Sequence, residues 1–328
     1  MGTVLQPVRS QRKSGIVRAM HSTPKRLLIT GSSGFVGQWC LRAPIDPKHW
    51  TLVPTSPAMD LTDLASIQAE LADAKPDAVL HLAGQSFVPA SFEDPQATLE
   101  TNLIGTLHLL QALKATGFRG RLVYVSSADV YGQQSADQMP IPETRLALPR
   151  NPYAVSKLAA EALCRQWHFS EGLDAVIARP FNHIGPGQDP RFVVSGMARQ
   201  FATMASGQQQ PRLVVGNLDV SRDFTDVRDV VQAYFNLLQA GEAGETYNIC
   251  SGRATALRDV VATLSRISGV YPDIEVDPAR LRANEQTIAF GDATRIQQAT
   301  GWRTNFALEQ SLADTYRYWE GNAKHEQN

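Results

Sequence analysis

The sequence is poor in cysteine, which limits how the chain can be held together. Its 328 residues include three cysteines, Cys40, Cys164 and Cys250, which lie far apart and form no CxxC pair. Isolated cysteines of this kind are typical of small buried side chains in a reducing compartment, rather than of a disulfide framework or a metal site. We therefore expect no metal ligands and a cytoplasmic location.

Long apolar runs and an excess of one charge are also absent. No stretch approaches the roughly 18 to 20 consecutive apolar residues of a membrane span. The 31 basic and 32 acidic residues leave a net charge of −1 and a pI near 6.7. This balance offers no general attraction to nucleic acid or to an anionic membrane, so we expect neither as a partner.

The first 24 residues contain basic side chains but no acid. They also lack the apolar core of about 7 to 15 residues that a secretory signal needs. We therefore predict a disordered N-terminal tail over residues 1–24, in which Met20 is an alternative start.

A glycine-rich turn follows the first predicted strand. Residues 25–30 form a short apolar run, residues 31–37 read GSSGFVG, and an apolar helical pattern comes next. Gly31, Gly34 and Gly37 permit positive φ and let backbone N–H groups approach a pyrophosphate at a helix N-terminus. This order of strand, turn and helix predicts a dinucleotide-binding loop, and an ordinary tight turn is the alternative.

Short apolar strands then alternate with helices. We predict strands at 51–54, 78–84, 121–125 and 175–179, a helix capped by Asp60 or Thr62, and a long helix with a leucine stripe over 96–116. The alternation predicts an α/β fold, a doubly wound parallel sheet of the Rossmann type that binds ligands at the carboxyl ends of its strands. Thr55 and Ser56 stand where an acid would grip a ribose 2′-hydroxyl, so the sequence leaves NAD and NADP open.

The pattern changes after residue 180. Segments 181–220 and 251–328 are more irregular, whereas 221–250 carries a helix and a strand that return to the sheet. We therefore predict a dinucleotide-binding domain over 25–180 with 221–250. Segments 181–220 and 251–328 are predicted to form a smaller C-terminal substrate-binding lobe.

Residues 151–172 predict a helix that carries a phenol and an ammonium on one face. Asn151 is a good N-cap, a proline follows it, and Gly172 offers a stop. Tyr153 and Lys157 are four residues apart, so their side chains share a face. An ammonium beside a phenol stabilises the phenolate, and we expect the pKa of Tyr153 to be lowered toward the operating pH. An ordinary amphipathic helix is the alternative.

Four motifs together resemble the extended short-chain dehydrogenase/reductase family over residues 25–320. They are GSSGFVG at 31–37, HLAG at 81–84, SSADVYG at 126–132 and YAVSK at 153–157. The resemblance implies a nicotinamide cofactor, NADPH or NADH. It also implies that Ser127 and Tyr153 hold the substrate oxygen, while Lys157 contacts the nicotinamide ribose and assists Tyr153.

The same resemblance implies two sets of binding residues. The implied cofactor set is Gly31, Gly34, Phe35, Val36, Gly37, Asp60, Leu61, Leu82, Ala83, Gly84, Val125, Tyr153, Lys157 and Pro180, with Asp60 and Leu61 on the adenine side. The implied substrate set is Ser86, Ser127, Asp129, Tyr153, Asn182, Val193, Gly216, Asn217, Arg222, Arg282 and Glu285.

The second half resembles the nucleotide-sugar part of the GDP-mannose 4,6-dehydratase group. The resemblance rests on Asn182-His183, on VGNLDVSRDF at 215–224 and on RANE at 282–285. In that group the matching Asn and two Arg hold the diphosphate, which suits the fork of a guanidinium, and the matching Gly-Asn and Glu approach guanosine. A GDP-sugar substrate is implied. A salt bridge of Arg222 with Asp223 or Asp226 is the structural alternative.

Residues 127–129 favour a reductase over a dehydratase. The dehydratases place Glu where this chain has Asp129, which is one methylene shorter, and Ala128 before it cannot titrate. Reduction of a 4-keto sugar needs only hydride and a proton from Tyr153. The run RPFNHIGPGQ at 179–188 also resembles the reductases that form GDP-D-rhamnose. We therefore predict NAD(P)H-dependent reduction of the C4 ketone of GDP-4-dehydro-6-deoxy-D-mannose.

Other functions remain open at the level of sequence. They are a dehydratase in which Asp129 does the work of Glu, a nucleotide-sugar 4-epimerase, and a nicotinamide-binding sensor without turnover, which would have no use for Tyr153 and Lys157 together. The family resemblance also implies a homodimer formed by helices at about 98–115 and 152–171. The leucine stripe of the first helix is equally compatible with burial against the sheet.

Overall fold

The computed structural model describes residues 23–281 and 286–325, which form a parallel sheet flanked by helices and a smaller lobe. The strands in chain order are β1 (Lys25–Thr30), β2 (Trp50–Pro54), β3 (Ala78–His81), β4 (Arg121–Val125), β5 (Asp174–Pro180), β6 (Asn182–Ile184), β7 (Arg212–Val215), β8 (Ser221–Arg222), β9 (Phe224–Asp226), β10 (Thr246–Ile249), β11 (Thr255–Ala256), β12 (Asp273–Val276) and β13 (Ile288–Ala289). The helices are α1 (Phe35–Arg42), α2 (Leu64–Ala74), α3 (Val88–Glu93), α4 (Pro95–Leu99), α5 (Gly105–Ala115), α6 (Pro152–Glu171), α7 (Val193–Ala205), α8 (Val227–Ala240), α9 (Leu257–Ser268), α10 (Thr294–Thr300) and α11 (Leu308–His325). The predicted substrate residues Arg282 and Glu285, and the predicted tail up to residue 22, lie outside the described residues.

The central sheet has six strands in the order β10-β5-β4-β3-β1-β2, and its paired strands run parallel. Its strands are short, almost continuously buried apolar runs, as expected for a sheet covered on both faces. β2 and β3 lie on opposite sides of β1, so the connections diverge there and open a crevice beyond the carboxyl ends of the strands. The predicted doubly wound α/β fold is confirmed.

Each face of the sheet has its own core. Leu27 and Ile29 of β1 pack into one cluster together with α8, whereas Leu28 packs into the other together with α2 and α5. This alternation follows from the two-residue period of a strand. Burial of apolar side chains on both faces holds the carboxyl ends of β1, β3, β4 and β5 in place, and these ends carry the site described below.

The lobe has a third core, built from α7, α9 and α11 with short strands. Small sheets of order β11-β8-β13, β12-β7 and β6-β9 complete it. Trp319 of α11 donates a hydrogen bond to the Ser195 hydroxyl of α7 at 3.0 Å, which links the two helices.

One segment that we assigned to the lobe belongs to the sheet instead. Ile296 of α10 and Trp302 pack into the same cluster as α8, and the Trp302 indole donates to the Asp229 carbonyl at 2.9 Å. The Asp229 carboxylate also accepts the backbone N–H groups of Asn305 and Phe306, each at 3.0 Å. We assigned all of 251–328 to the lobe, whereas this stretch packs against the core of the sheet through contacts between residues distant in sequence. The other domain limits stay a prediction.

Two helix predictions need correction. The second helix is capped by Asp63, whose side chain accepts the Ala65 N–H at 2.9 Å, and not by Asp60 or Thr62. Asp60 instead accepts both the N–H and the hydroxyl of Thr62 at 2.8 Å, which makes a tight turn ahead of the helix. The long helix predicted over 96–116 is interrupted by a π turn at Glu100–Ile104, between α4 and α5.

The helix predicted around Tyr153 is confirmed. The Asn151 side chain accepts the Ala154 N–H at 2.7 Å, and Gly172 ends the helix in the left-handed conformation at φ 68°. Both caps satisfy backbone groups that a helix leaves without internal partners.

Candidate active site

A cleft of about 1110 Å³ lies at the carboxyl ends of β1, β3, β4 and β5 and extends into the lobe. Every residue that we predicted to bind cofactor or substrate lines this cleft, apart from Asp60, Leu61, Arg282 and Glu285. Asp60 and Leu61 line an adjoining hollow of about 360 Å³, which shares Gly31 with the cleft. The structure thus brings the predicted residues within its described ranges into one continuous site.

The glycine turn at one end of the cleft is shaped by close backbone contacts. Gly31 has φ +70°, and a Cβ placed on it would lie 2.8 Å from the Ala83 backbone. A Cβ on Gly37 would lie only 2.3 Å from the Gly31 carbonyl oxygen. Gly34 begins α1 without any side-chain cap, so the first N–H groups of that helix are left for a ligand. Uncapped amides at the positive end of a helix beside the cleft fit the pyrophosphate of a dinucleotide.

The lining of the adjoining hollow is compatible with the adenosine end of such a cofactor. Thr55, Ser56 and Met59 line it, and Asp60 is the one charged side chain among its described lining residues. Leu61 rests on Gly105 of α5, where a Cβ would lie 2.8 Å from the leucine side chain. No carboxylate stands at the end of β2, the usual place for one that grips a ribose 2′-hydroxyl.

Tyr153 lies on the wall of the cleft with 8% of its surface exposed. Burial raises the pKa of its phenol, the nearby Asp129 carboxylate raises that pKa further, and a hydrogen bond with Ser127 acts in the opposite direction. Our expectation that Lys157 lowers this pKa was therefore wrong. The Lys157 ammonium instead donates to the Val125 carbonyl at 2.9 Å. The Tyr153 phenol consequently stays protonated at neutral pH and is suited to donate a proton.

Lys157 is buried beside the phenol. Its ammonium lies 5.2 Å above the Tyr124 ring, and burial lowers its pKa to about 8, while the Cys164 and Glu161 side chains act to raise it. The Val125 carbonyl uses one of the three N–H donors of the ammonium. The remaining donors are available to hydroxyl groups of a ligand in the cleft.

Ser127 is positioned by the turn after β4. Its hydroxyl accepts the backbone N–H of Asp129 at 3.2 Å and thereby caps a short 3-10 helix over 128–131. This contact holds the Ser127 and Asp129 side chains beyond the carboxyl end of β4, next to Tyr153. The predicted catalytic residues Ser127, Tyr153 and Lys157 are thus neighbours in space.

The lobe side of the cleft is basic. Arg191, Arg199, Arg222 and Arg280 line it, whereas Asp129 is the one acidic side chain among the described lining residues. Arg191 and Arg280 also form ion pairs, with Asp189 at 2.8 Å and with Asp277 at 3.2 Å, so part of this positive charge is compensated beside the cleft. The uncapped N-terminus of α7 opens onto the same part of the cleft. Guanidinium groups and a helix N-terminus are the groups that bind phosphates best.

The structural alternative for Arg222 was a salt bridge with Asp223 or Asp226, and both of these carboxylates bind other groups. The Asp223 carboxylate accepts the backbone N–H groups of Ser251 at 2.7 Å and Gly252 at 2.9 Å. Asp226 accepts from the Arg228 guanidinium at 2.8 Å. Both carboxylates therefore have structural partners of their own, and Arg222, which donates to the Ser221 carbonyl at 2.9 Å, lines the cleft.

Sequence reasoning missed several residues of the site. Asn102, in the π turn, accepts the Gln85 N–H at 2.8 Å and donates to the Ser156 hydroxyl at 2.9 Å, which ties the turn after β3 to the Tyr153 helix. π turns inside helices are often found at functional sites. An asparagine within a leucine stripe was the one local signal for it. Arg199 and Arg280 had no local signal, because isolated arginines are common on protein surfaces.

None of the helices within 23–281 and 286–325 is long and apolar enough to cross a membrane. The same ranges contain no group of three or more His, Cys, Asp or Glu side chains that could hold a metal ion.

A parallel sheet with a glycine turn beside its switch point, together with adjacent Ser, Tyr and Lys side chains, defines the short-chain dehydrogenase/reductase class. Comparison with known proteins identifies the family within this class. Residues 53–315 match the family model described as GDP-mannose 4,6 dehydratase. The chain therefore belongs to the extended short-chain dehydrogenase/reductase family, in its GDP-mannose 4,6-dehydratase branch.

Individual relatives agree with this. The GDP-6-deoxy-D-mannose reductase of Pseudomonas aeruginosa is 49% identical over 304 residues, which are 92% of this chain and 99% of that protein. A GDP-mannose 4,6-dehydratase of Sinorhizobium fredii is 30% identical over 79% of this chain and 78% of its own.

Solved structures give the same result. A structure of RMD from Pseudomonas aeruginosa complexed with NADPH has a TM-score of 0.86 and 48% identity, and the match covers 91% of this chain and 99% of that one. A Thermus thermophilus UDP-glucose 4-epimerase complex with NAD has a TM-score of 0.78 and 26% identity over 90% of this chain and 99% of that one.

Proposed function

We propose that this protein reduces the C4 ketone of GDP-4-dehydro-6-deoxy-D-mannose with NADPH and forms GDP-D-rhamnose. The observation that carries the proposal is the position of the Ser127, Tyr153 and Lys157 side chains, between a dinucleotide-binding turn and a basic lobe. The similarity to a relative named GDP-6-deoxy-D-mannose reductase over almost its whole length supports the same activity.

The cofactor residues are assigned by what the cleft offers. The glycine turn and the start of α1 would hold the pyrophosphate, and the hollow beside Asp60 and Leu61 would hold adenosine. Thr55 and Ser56 put hydroxyls rather than a carboxylate near the ribose, which leaves room for the 2′-phosphate of NADPH. The solved structure of RMD from Pseudomonas aeruginosa, which is complexed with NADPH, supports this choice.

Reduction of the ketone requires a hydride, a proton and a polarised C4 carbonyl. When bound, the nicotinamide supplies the hydride that is added to C4. The Ser127 hydroxyl donates a hydrogen bond to the C4 oxygen, and Tyr153 donates its phenolic proton to the same oxygen as the ketone becomes an alcohol. Lys157 would hold ribose hydroxyls with the donors that the Val125 carbonyl does not use.

The lobe would hold the GDP end of the substrate. Arg222, with Arg199 and Arg280, supplies guanidinium groups for the diphosphate, and the N-terminus of α7 at Val193 adds backbone donors. Gly216 and Asn217 line the far end of the cleft and would contact the guanosine. Asn182 lines the same cleft and would contact the diphosphate, as the family resemblance implies.

Asp129 supports a reductase over a dehydratase. Burial and, after it, the Asp129 carboxylate raise the pKa of Tyr153, and this keeps the phenol in the protonated form that a reduction uses. A dehydratase needs in addition a group that takes the C5 proton, and Ala128 beside it offers none.

The test mixes the purified protein with GDP-4-dehydro-6-deoxy-D-mannose and NADPH or NADH, and follows the absorbance of the reduced nicotinamide. We expect rapid oxidation and one equivalent of GDP-D-rhamnose per equivalent of NADPH. Conversion of GDP-mannose to the keto sugar without net oxidation would instead show a dehydratase.

We also propose that the enzyme is a cytoplasmic homodimer. The support is a row of exposed positions on α6, which includes Val155, Ala162 and Phe169 at spacings that share one helix face. Part of the leucine stripe of α5 is not available to a partner, because Leu110 and Leu113 are buried in the core against the sheet.

A further inference from the structure

The hollow proposed for the adenosine end of the cofactor carries no positive charge. Its described lining residues include no lysine, arginine or histidine, and the arginines of the main cleft lie on the side of the lobe. Sites for NADPH commonly place an arginine against the 2′-phosphate, because a guanidinium pairs with phosphate oxygens through two parallel hydrogen bonds. The hollow therefore has room for a 2′-phosphate but no cation to attract it.

Two carboxylates lie at this hollow. Asp60 lines it, and hydrogen bonds from the N–H and the hydroxyl of Thr62 lower the pKa of the Asp60 carboxyl group, which is therefore charged at neutral pH. The second carboxylate belongs to Glu70 of α2, whose Oε1 accepts the backbone N–H of Ser56 at 3.0 Å. Ser56 lines the hollow and Glu70 does not, so Glu70 acts on a ligand there through its charge and through Ser56.

The backbone after β2 has few donors left for a phosphate. The N–H of Ser56 is used by Glu70. The N–H groups of Ala58 and Met59 donate to the Ser56 hydroxyl at 3.2 Å and to the Ser56 carbonyl at 3.0 Å. Pro57 has no N–H. A 2′-phosphate at this place would consequently depend on side-chain hydroxyls, whereas a ribose 2′-hydroxyl needs no more than such a partner.

We propose that this site binds NADH at least as tightly as NADPH, and that Glu70 is a specificity-determining residue that weakens the binding of the 2′-phosphate. The neutral 2′-hydroxyl of NADH can pair with the hydroxyls of Thr55 and Ser56, which line the hollow. The 2′-phosphate of NADPH meets the same hydroxyls together with two negative charges. The inference rests on the proposed function, since it requires a nicotinamide dinucleotide in the cleft, and it makes both reduced dinucleotides hydride donors.

The test measures the dissociation constants of NADPH and NADH by titration calorimetry in the wild type and in two variants. Glu70→Gln removes the charge and keeps an oxygen that can accept the Ser56 N–H. Asp73→Asn is the matched control, because Asp73 is an exposed carboxylate on the same helix and does not line the hollow. Each titration is made at about 0.01 M and at about 0.15 M salt, between which the screening length falls from about 30 Å to about 8 Å.

In the wild type we expect NADPH to bind no more tightly than NADH. Its affinity relative to NADH should rise with salt, because salt screens the repulsion between the 2′-phosphate and the two carboxylates. A cation in contact with the phosphate would produce the opposite trend. Glu70→Gln should tighten NADPH binding by about two- to fivefold at low salt and leave NADH binding unchanged. Asp73→Asn should bind both as the wild type does.

Several results would overturn the inference. A wild type that prefers NADPH, with a preference that weakens as salt is added, would mean that a cation holds the 2′-phosphate. Unchanged NADPH binding in Glu70→Gln, or an equal change for both dinucleotides, would mean that Glu70 does not act on the phosphate. All of these leave the proposed function standing. A protein that binds both dinucleotides as expected but does not oxidise them with the keto sugar would overturn the proposed function alone, and one that binds neither would overturn both.

Discussion

At the scale of single residues, burial acts on the two titratable groups of the site in opposite directions. It raises the pKa of the Tyr153 phenol and lowers that of the Lys157 ammonium, because a buried environment disfavours either charge. The phenol is therefore a proton donor at neutral pH, and the ammonium is the group whose titration falls near the working range.

The pH dependence of the reaction should reflect Lys157. Its pKa of about 8 predicts that kcat/KM falls as pH rises through that value, because the ammonium that is proposed to hold the ribose loses its charge and a proton. A rate profile with NADPH from pH 6 to about 10 measures this. A flat profile through that range would contradict the assignment.

The same shift has a consequence for stability. The folded-state pKa of Lys157 lies below its ordinary value of 10.5, so the unfolded chain binds this proton more tightly. The contribution of this group to the free energy of unfolding should therefore rise as pH increases from about 8 to 10.5. Lys157→Met should remove this contribution. The free energy of unfolding, measured with urea at several pH values between about 8 and 10.5, should therefore rise less with pH in Lys157→Met than in the wild type.

Tyr153→Phe tests the proton donor. We expect kcat to fall by about 10² to 10⁴ with NADPH affinity nearly unchanged, because only the acid is lost. Tyr271→Phe is a suitable control, since Tyr271 is 75% exposed and lies outside the cleft. Turnover close to that of the wild type in Tyr153→Phe would refute the role.

At the scale of elements, a buried ion pair fastens the catalytic helix to the sheet. Glu161 of α6 accepts from the Arg179 guanidinium of β5 at 2.8 Å and 2.6 Å, and the two side chains are 0% and 4% exposed. Arg179 also stacks over the Tyr131 ring at 4.8 Å. The pair joins the helix of Tyr153 and Lys157 to the strand that ends at Pro180 in the cleft.

Breaking this pair should destabilise the fold strongly. Glu161→Gln leaves Arg179 with its charge buried and unpaired, and we expect a loss of about 3 to 5 kcal/mol in the free energy of unfolding, measured with urea. Glu171→Gln is the matched control on the same helix. Its partner Lys114 lies 2.8 Å away at the surface, so a loss of under about 1 kcal/mol is expected. Equal losses in the two variants would show that the buried pair has no special role.

The glycine turn offers a second contrast. A Cβ at Gly37 would lie 2.3 Å from the Gly31 carbonyl, whereas one at Gly34 would lie 3.3 Å from the same atom. Gly37→Ala should therefore lower the melting temperature clearly, while Gly34→Ala should stay near the wild type, both measured without ligand. The reverse order would mean that the turn is not held by the contact at Gly37.

At the scale of the whole molecule, the charge of the chain is distributed unevenly. The net charge of the chain is −1, yet four arginines line one cleft. They come from the loop before α7, from α7, from β8 and from the segment after β12. Under the proposed function, the sheet supplies the glycine turn for the cofactor and the lobe supplies positive charge for the GDP-sugar. A basic cleft of this kind also draws anionic ligands to the site.

The proposed homodimer is the second property of the whole molecule. If α6 forms the dimer contact, Ala162→Arg should convert a dimer into a monomer in light scattering, because it puts a charge into an apolar interface. Ala262→Arg on the exposed face of α9 is the control and should leave the mass unchanged. A dimer that survives Ala162→Arg would mean that the subunits meet elsewhere.

Local patterns in the sequence determined much of this protein. Continuous apolar runs specified the buried strands, the caps at Asn151 and Gly172 specified the Tyr153 helix, and the spacing of the glycines specified the turn. Each of these signals is read within a few residues, since it depends on backbone geometry or on one face of one element.

Only the tertiary structure decided the rest. It shows that Arg199 and Arg280 line the cleft, that α10 packs against the core of the sheet, and that Asn102 is buried within a π turn. It also reversed the expected direction of the Tyr153 pKa. All of these depend on burial and on contacts between residues far apart in sequence, which a local pattern does not contain.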